Sequence, residues 1–104
     1  MAVMEKTYAQ PAAVLLNLVN DIVEMRKAKI THSDRATLVI DTEMYGIKTE
    51  YRFRVVPHLA ETSVTIETEG EDDHARRRVE LMFATLENML TQFTEACREN
   101  DPGI

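Results

Sequence analysis

DHARRRVELMFATLENMLTQFTEACR, residues 73–98, is the stretch whose reading decides the fold. Val79, Met82, Phe83, Leu86, Met89, Leu90, Phe93 and Cys97 recur at intervals of three and four, and neither Gly nor Pro interrupts them. The spacing predicts one amphipathic helix on the order of 35–40 Å long at the usual rise per residue. A helix of that length needs a broad apolar surface to lie on. The segment 36–68 offers one, because its apolar period there is two.

Ala36, Leu38, Ile40, Thr42 and Met44 alternate with Thr37, Val39, Asp41 and Glu43. Ile47, Thr49, Tyr51, Phe53 and Val55 alternate with Lys48, Glu50, Arg52 and Arg54. Each run is a strand with one inward face. A two-residue turn at Tyr45-Gly46 sets Met44 opposite Ile47, Ile40 opposite Tyr51, Leu38 opposite Phe53 and Ala36 opposite Val55. The outer face then carries Glu43 against Lys48 and a like-charge pair, Asp41 and Glu50, beside Arg52. Pro57 ends the second strand. Ser63–Thr68 supplies a third, pairing Val64 with Val55, Ile66 with Phe53 and Glu67 with Arg52. Asp72 and Asp73 then suit the positive end of the long helix, four residues before Arg76 and Arg77.

Upstream, Val3–Ala9 reads as a short strand, and Pro11 stands where a first helical turn tolerates a missing N–H. Val14, Leu15, Leu18, Val19, Ile22 and Met25 place one apolar stripe on a helix from Pro11 to about Ala28, with basic Arg26, Lys27 and Lys29 at its end. Thr31, His32, Ser33 and Asp34 read as a turn-compatible connection. The expected fold class is α+β: strand, helix, three-stranded antiparallel meander, and a long C-terminal helix packed across the sheet. Residues 1–104 form one domain, with a frayed tail from about Asn100.

Composition narrows the function classes. A 104-residue chain buries roughly two thirds of its unfolded surface, enough for one core. With 44% hydrophobic and 29% charged residues, and only three Gly and three Pro, the chain reads as ordered and soluble. A net charge of −6 disfavours nucleic acid and anionic membranes as partners. The single cysteine, Cys97, falls on the apolar helix face and points to a sheltered thiol and a cytoplasmic setting. The apolar run Ala12–Val19 is too short to span a bilayer and lacks the flanks of a signal peptide.

No constellation points to catalysis or to a cofactor. His32, His58 and His74 lie in separate connections without metal-ligand spacing and read as surface histidines. Asp41 and Glu43 read as a solvated sheet face, and Arg76, Arg77 and Arg78 as helix residues about 100° apart facing an acidic run. Hydrolase chemistry lacks a nucleophile and base in reach of each other, so no catalytic or metal-binding residue is assigned. The methionines carry more information. Met25, Met44, Met82 and Met89 fall on inward faces, where flexible thioethers fill an irregular core or line an adaptable pocket. The expected apolar lining is Met44, Tyr51, Phe53, Met82, Phe83, Leu86, Met89 and Phe93.

The opening "EKTYAQPAAVLLNLVNDI" and the later "FATLENMLTQF" give the chain a resemblance to the START-related or SRPBCC superfamily, the helix-grip or polyketide-cyclase-like fold. In that architecture a strand, a proline and a helix open the chain, and a long C-terminal helix lies across a curved antiparallel sheet. The length implies a shortened member. The resemblance implies that the space under the long helix holds a hydrophobic small molecule, or that the protein is an accessory factor. The alternative is a homodimeric interaction module, comparable to small acidic chaperones that bind peptides on an exposed sheet or helix surface. Apolar shoulders at Leu16, Val23, Leu81 and Ala84, together with an unpaired sheet edge, favour self-association.

Overall fold

A computed structural model of the chain describes residues 1–44 and 46–99, without the side chains of Met44, Arg98 and Glu99. Its elements are β1 (Ala2–Tyr8), α1 (Ala12–Met25), β2 (Lys29–Ser33), β3 (Thr37–Met44), β4 (Ile47–Pro57), β5 (Thr62–Thr68) and α2 (Asp73–Glu99). The strands form one antiparallel sheet in the order β1-β5-β4-β3-β2. Consecutive strands β1 and β2 thus lie at opposite edges, and α1, which joins them, has to cross the width of the sheet. α2 follows β5 and packs back over β5, β1 and α1. The architecture is α+β, a long C-terminal helix laid with its partner helix across a five-stranded sheet.

The period-two pattern translates directly into register. Leu38 faces Phe53, Ile40 faces Tyr51, Glu43 faces Lys48 and Met44 faces Ile47, while Asp41 lies opposite Glu50. β5 sets Val64 beside Val55, Ile66 beside Phe53 and Glu67 beside Arg52. Gly46 adopts φ +78° at the β3–β4 turn, a conformation that Gly tolerates without a Cβ clash. Its expected neighbour in the turn, Tyr45, and the expected frayed tail from Asn100 lie outside the described residues.

Leu15, Leu18, Val19, Ile22 and Val23 of α1 meet Val79, Met82, Phe83, Leu86 and Leu90 of α2 over the inward sheet residues, in one continuous core. Two threonines secure its ends. Thr62 donates its hydroxyl to the Gln10 carbonyl at 2.8 Å, and Thr68 donates to the Glu50 carbonyl at 2.8 Å, so both are buried with a hydroxyl satisfied. α2 starts at an Asp72 cap whose Oδ1 accepts the Ala75 N–H at 2.9 Å. Asp72 therefore serves the helix backbone, and among the described residues it forms no ion pair with Arg76, nor does Asp73 with Arg77.

α1 ends in a Schellman-type cap. The Ala28 N–H bonds the Val23 carbonyl and the Lys27 N–H the Glu24 carbonyl, with Lys27 at φ +52°. The chain reverses there and enters β2 at once. The segment expected as a connection is thus a fifth strand, and the meander has four strands rather than three. β2 pairs with β3 through Lys29–Asp41, Ile30–Ile40, His32–Val39 and Ser33–Leu38, slipping register between Ile30 and His32. All five of its residues are exposed, so it carries no alternating apolar signal.

The added strand and the finite width of the sheet revise several side-chain expectations. Val39, expected on the solvent face, is only 5% exposed, because it now sits on an inner strand between His32 and Arg52. Val23 is buried rather than a free shoulder. Met25 lies in the last turn of α1 and is 60% exposed, and Ile47 beside the β3–β4 turn is 68% exposed. Both sit where their element runs beyond its cover. Cys97 is exposed, not sheltered, because α2 has outrun the sheet by that point.

Candidate functional site

The helix-bearing side of the sheet is covered unevenly. α2 packs on β1 and β5 and α1 on β4, which leaves the β3 side of the face less enclosed. There Leu16 and Asn20 of α1, Leu38 of β3, Phe53 and Val55 of β4, and the connection from Ser33 to Thr37 enclose a cleft of about 180 Å³. Its lining is mixed: Leu16, Ala36, Leu38, Phe53 and Val55 are apolar, and Asn20, Ser33, Asp34, Arg35 and Thr37 are polar.

The polar border of the cleft is pre-formed by Asp34. One carboxylate oxygen accepts the N–H groups of Ala36 at 2.9 Å and Thr37 at 2.8 Å, and the other meets His32 Nε2 at 3.1 Å. The Asp34 N–H in turn donates to the Thr37 carbonyl at 2.9 Å. These contacts favour the charged form: the Ala36 N–H first, then His32 and the Thr37 N–H, hold the carboxyl down to about 2. The Ser33-Asp34 turn signal was legible in the sequence as a turn; its role as a cleft wall was not, because Leu16, Asn20 and Val55 reach it from remote segments.

The sequence-derived lining divides. Tyr51, Phe53, Met82, Phe83 and Leu86 are brought together, all buried in the single core cluster, and Met89 packs against it half-buried. Phe53 is the member of that set that also lines the cleft. Phe93 is 41% exposed and stands apart from them, and the Met44 side chain lies outside the described residues. Tyr51 sits in an apolar environment: burial pushes its phenol up, partly opposed by the guanidiniums of Arg26 and Arg78.

A second polar cluster joins β1 to α2. Lys6 Nζ donates to Glu87 Oε1 at 2.8 Å and lies 5.2 Å from the centroid of the buried Phe83 ring. The neighbouring Tyr8 hydroxyl is buried with no hydrogen-bond partner, and burial together with the Glu87 carboxylate raises its pKa well above the ordinary phenol value. Beyond it, Gln10, Leu90, Thr91, Thr94 and Glu95 line a more open cleft of about 320 Å³. On the outer face, His58 Nε2 meets Ser63 Oγ at 2.8 Å, and the His58 N–H donates to the Glu61 carbonyl at 2.7 Å. Those bonds close the β4–β5 loop. Among the described residues no acid is bonded to His58, so the pair lacks the orienting third group of a nucleophilic site.

Among the described residues, no three His, Cys, Asp or Glu side chains are placed to hold a metal ion. No helix among them is long and apolar enough to cross a membrane. The chemistry that this arrangement supports is binding in a small recess of mixed lining, bordered by the hydrogen-bonded Asp34 turn.

No family model matches the chain, and no curated protein matches it. Among solved structures, a START superfamily protein from Mycobacterium smegmatis is similar at 15% identity and a TM-score of 0.47, over 93% of this chain and 99% of that chain. The resemblance to this START superfamily protein is weak.

Proposed function

We propose that this protein is a small cytoplasmic binding protein that takes an apolar small molecule between α1 and the sheet and performs no chemistry on it. The observation that carries the reading is the cleft beside Leu38, Phe53 and Val55, lined half by apolar and half by polar residues and bordered by the hydrogen-bonded Asp34 turn. At about 180 Å³ it is smaller than the 300–1,000 Å³ that drug-sized ligands ordinarily occupy, which restricts the ligand to a compact one. Phe53 joins this entrance to the deeper lining of Tyr51, Met82, Phe83, Leu86 and Met89. A larger ligand has to part α2 from the sheet there, and the thioethers of Met82 and Met89 are the side chains best suited to reshaping.

Methyl NMR titration with indole, a neutral compact probe, tests this. Saturable shifts at Leu16, Leu38 and Val55 are expected, and Ala36→Leu, which fills the cleft, should abolish them. Shifts confined to Met82 and Leu86 would move the site under α2. No saturable shift at either place would remove the reading.

A second reading, a symmetric homodimer, has its own observation: every residue from Thr91 to Cys97 is exposed, Phe93 among them. Sedimentation equilibrium decides it. A dimer mass that reverts to 11.9 kDa in Phe93→Lys supports it, and a single 11.9 kDa species in the unaltered protein at all concentrations ends it.

A further inference from the structure

The two edges of the sheet are not alike. β2 slips register between Ile30 and His32, whereas β1, at the other edge, keeps an unbroken antiparallel register with β5 from Ala2–Thr68 to Tyr8–Thr62. Its open side presents a row of N–H and C=O groups, and among the described residues no backbone group of β1 is bonded outside the sheet. Neither a bulge nor a proline blunts this edge. Its one lysine, Lys6, turns to the helix side, where it is tied to Glu87 at 2.8 Å, while Val3 on the outer face is 51% exposed.

A cleft of about 280 Å³ lies against the first half of β1, lined by Ala2, Val3 and Met4 in succession and by Glu71, Asp72 and Arg76. Side chains alternate faces along a strand, so a space that touches three consecutive residues runs along the strand's edge, and β5 fills the other edge. The charge beside it is negative. Glu5 is exposed on the outer face, Glu67 of β5 stands opposite Val3, and Glu69, Glu71, Asp72 and Asp73 follow where β5 runs into α2. Although Arg76, Arg77 and Arg78 come next on α2, none of these carboxylates is paired with a lysine or arginine among the described residues, and Glu71 meets the Met1 amino group at 3.5 Å. Arg52 and Arg54 stand two strands in, on β4.

A second copy of the chain is the poorer occupant. A two-fold axis normal to the sheet pairs residues of equal parity, so the register that overlaps all of Ala2–Tyr8 sets Glu5 against its own symmetry mate. We infer that the open edge of β1 is a docking strand for an extended, basic segment of another protein, which joins the sheet as a sixth strand. Main-chain hydrogen bonds to β1 supply the affinity, and lysine or arginine side chains opposite Glu5 and beside the Glu69–Asp73 run select the partner. The surface lies at the opposite end of the sheet from the Asp34 cleft, so it stands independently of the apolar-ligand reading.

The test adds a Lys-Val repeating octapeptide to the intact protein and follows backbone amide exchange by NMR. Slower exchange at alternate β1 amides with no change on β2 is expected, and neither the same sequence N-methylated throughout nor a Glu-Val octapeptide should produce it. Glu5→Lys, a change at an exposed position, should weaken Lys-Val binding by about fivefold or more, as expected for turning a favourable cross-strand charge pair into a repulsive one, and Glu5→Gln by a smaller factor. Protection that is equal on β2, that survives N-methylation, that the Glu-Val peptide matches or that Glu5→Lys leaves unchanged would overturn the inference. So would a dimer of the unaltered protein, seen by sedimentation equilibrium, in which the β1 amides are already protected, because a second copy would then hold the edge. Indole shifts at Leu16 would be untouched by either failure.

Discussion

The two halves of α2 have the same apolar period and opposite fates. From Ala75 to Leu90 the helix buries Val79, Met82, Phe83 and Leu86 almost completely, while from Thr91 to Cys97 every residue is exposed. Phe83 and Phe93 are the sharpest pair, the same side chain ten residues apart on one helix. Periodicity specifies which face of a helix is apolar. Whether anything lies beneath that face depends on how far the sheet extends, and the sheet ends first.

The largest expected effect tests this contrast directly. Phe83→Ala should cost about 3–5 kcal/mol in urea denaturation, as for other buried aromatic truncations, and Phe93→Ala less than about 1 kcal/mol. Comparable losses at the two sites would mean that the last turns of α2 are covered in solution, as the dimer requires. Asp72→Ala should cost about 1 kcal/mol, the usual worth of a helix N-cap, because the covered half is anchored at that cap. A loss near zero would show that core packing alone sets where the helix begins.

Tyr8, which meets α2 at Glu87 near the boundary of the two halves, gives a smaller effect with a defined pH dependence. Its folded pKa is raised, so its stabilising contribution is complete below the unfolded tyrosine value of about 10 and is lost as the pH rises above it. Tyr8→Phe removes a buried hydroxyl without a partner. It should change stability at neutral pH by no more than about 1 kcal/mol and flatten the decline above pH 10. An unchanged alkaline limb in the variant would place the hydroxyl in water. The smallest effect belongs to Cys97: its rate with a thiol reagent should be nearly equal in buffer and in denaturant. Strong protection in buffer would show that the overhanging turns are covered.

How much of this could be read in advance depended on local repetition. The β3–β4–β5 register was legible because each strand alternates and the turn between β3 and β4 is short, so that a single pairing puts Leu38, Ile40, Phe53, Val64 and Ile66 on one side. β2 was not, since Lys29-Ile30-Thr31-His32-Ser33 has one large apolar residue and no buried face. Missing it also misplaced Val39, whose burial comes from its position inside the sheet. Cys97 and Phe93 were assigned to the right face of α2 and the wrong environment, for the reason given by the two halves. The inward placement of Tyr51, Phe53, Met82, Phe83 and Leu86 was legible from period alone. The cleft is a product of chain crossing, in which α1 spans the sheet from one edge to the other and brings Leu16 and Asn20 over β3 and β4.

The slip between Ile30 and His32 bears on how the molecule behaves in a crowd. β2 is an outermost strand, and an outermost strand with an unbroken row of N–H and C=O groups invites another sheet to dock on it. The extra residue at Thr31 interrupts the regular ladder, and Lys29 puts a charge at its head. The edge is therefore a poor template for stacking into fibrils, a protection conferred by the same five residues whose lack of pattern hid the strand.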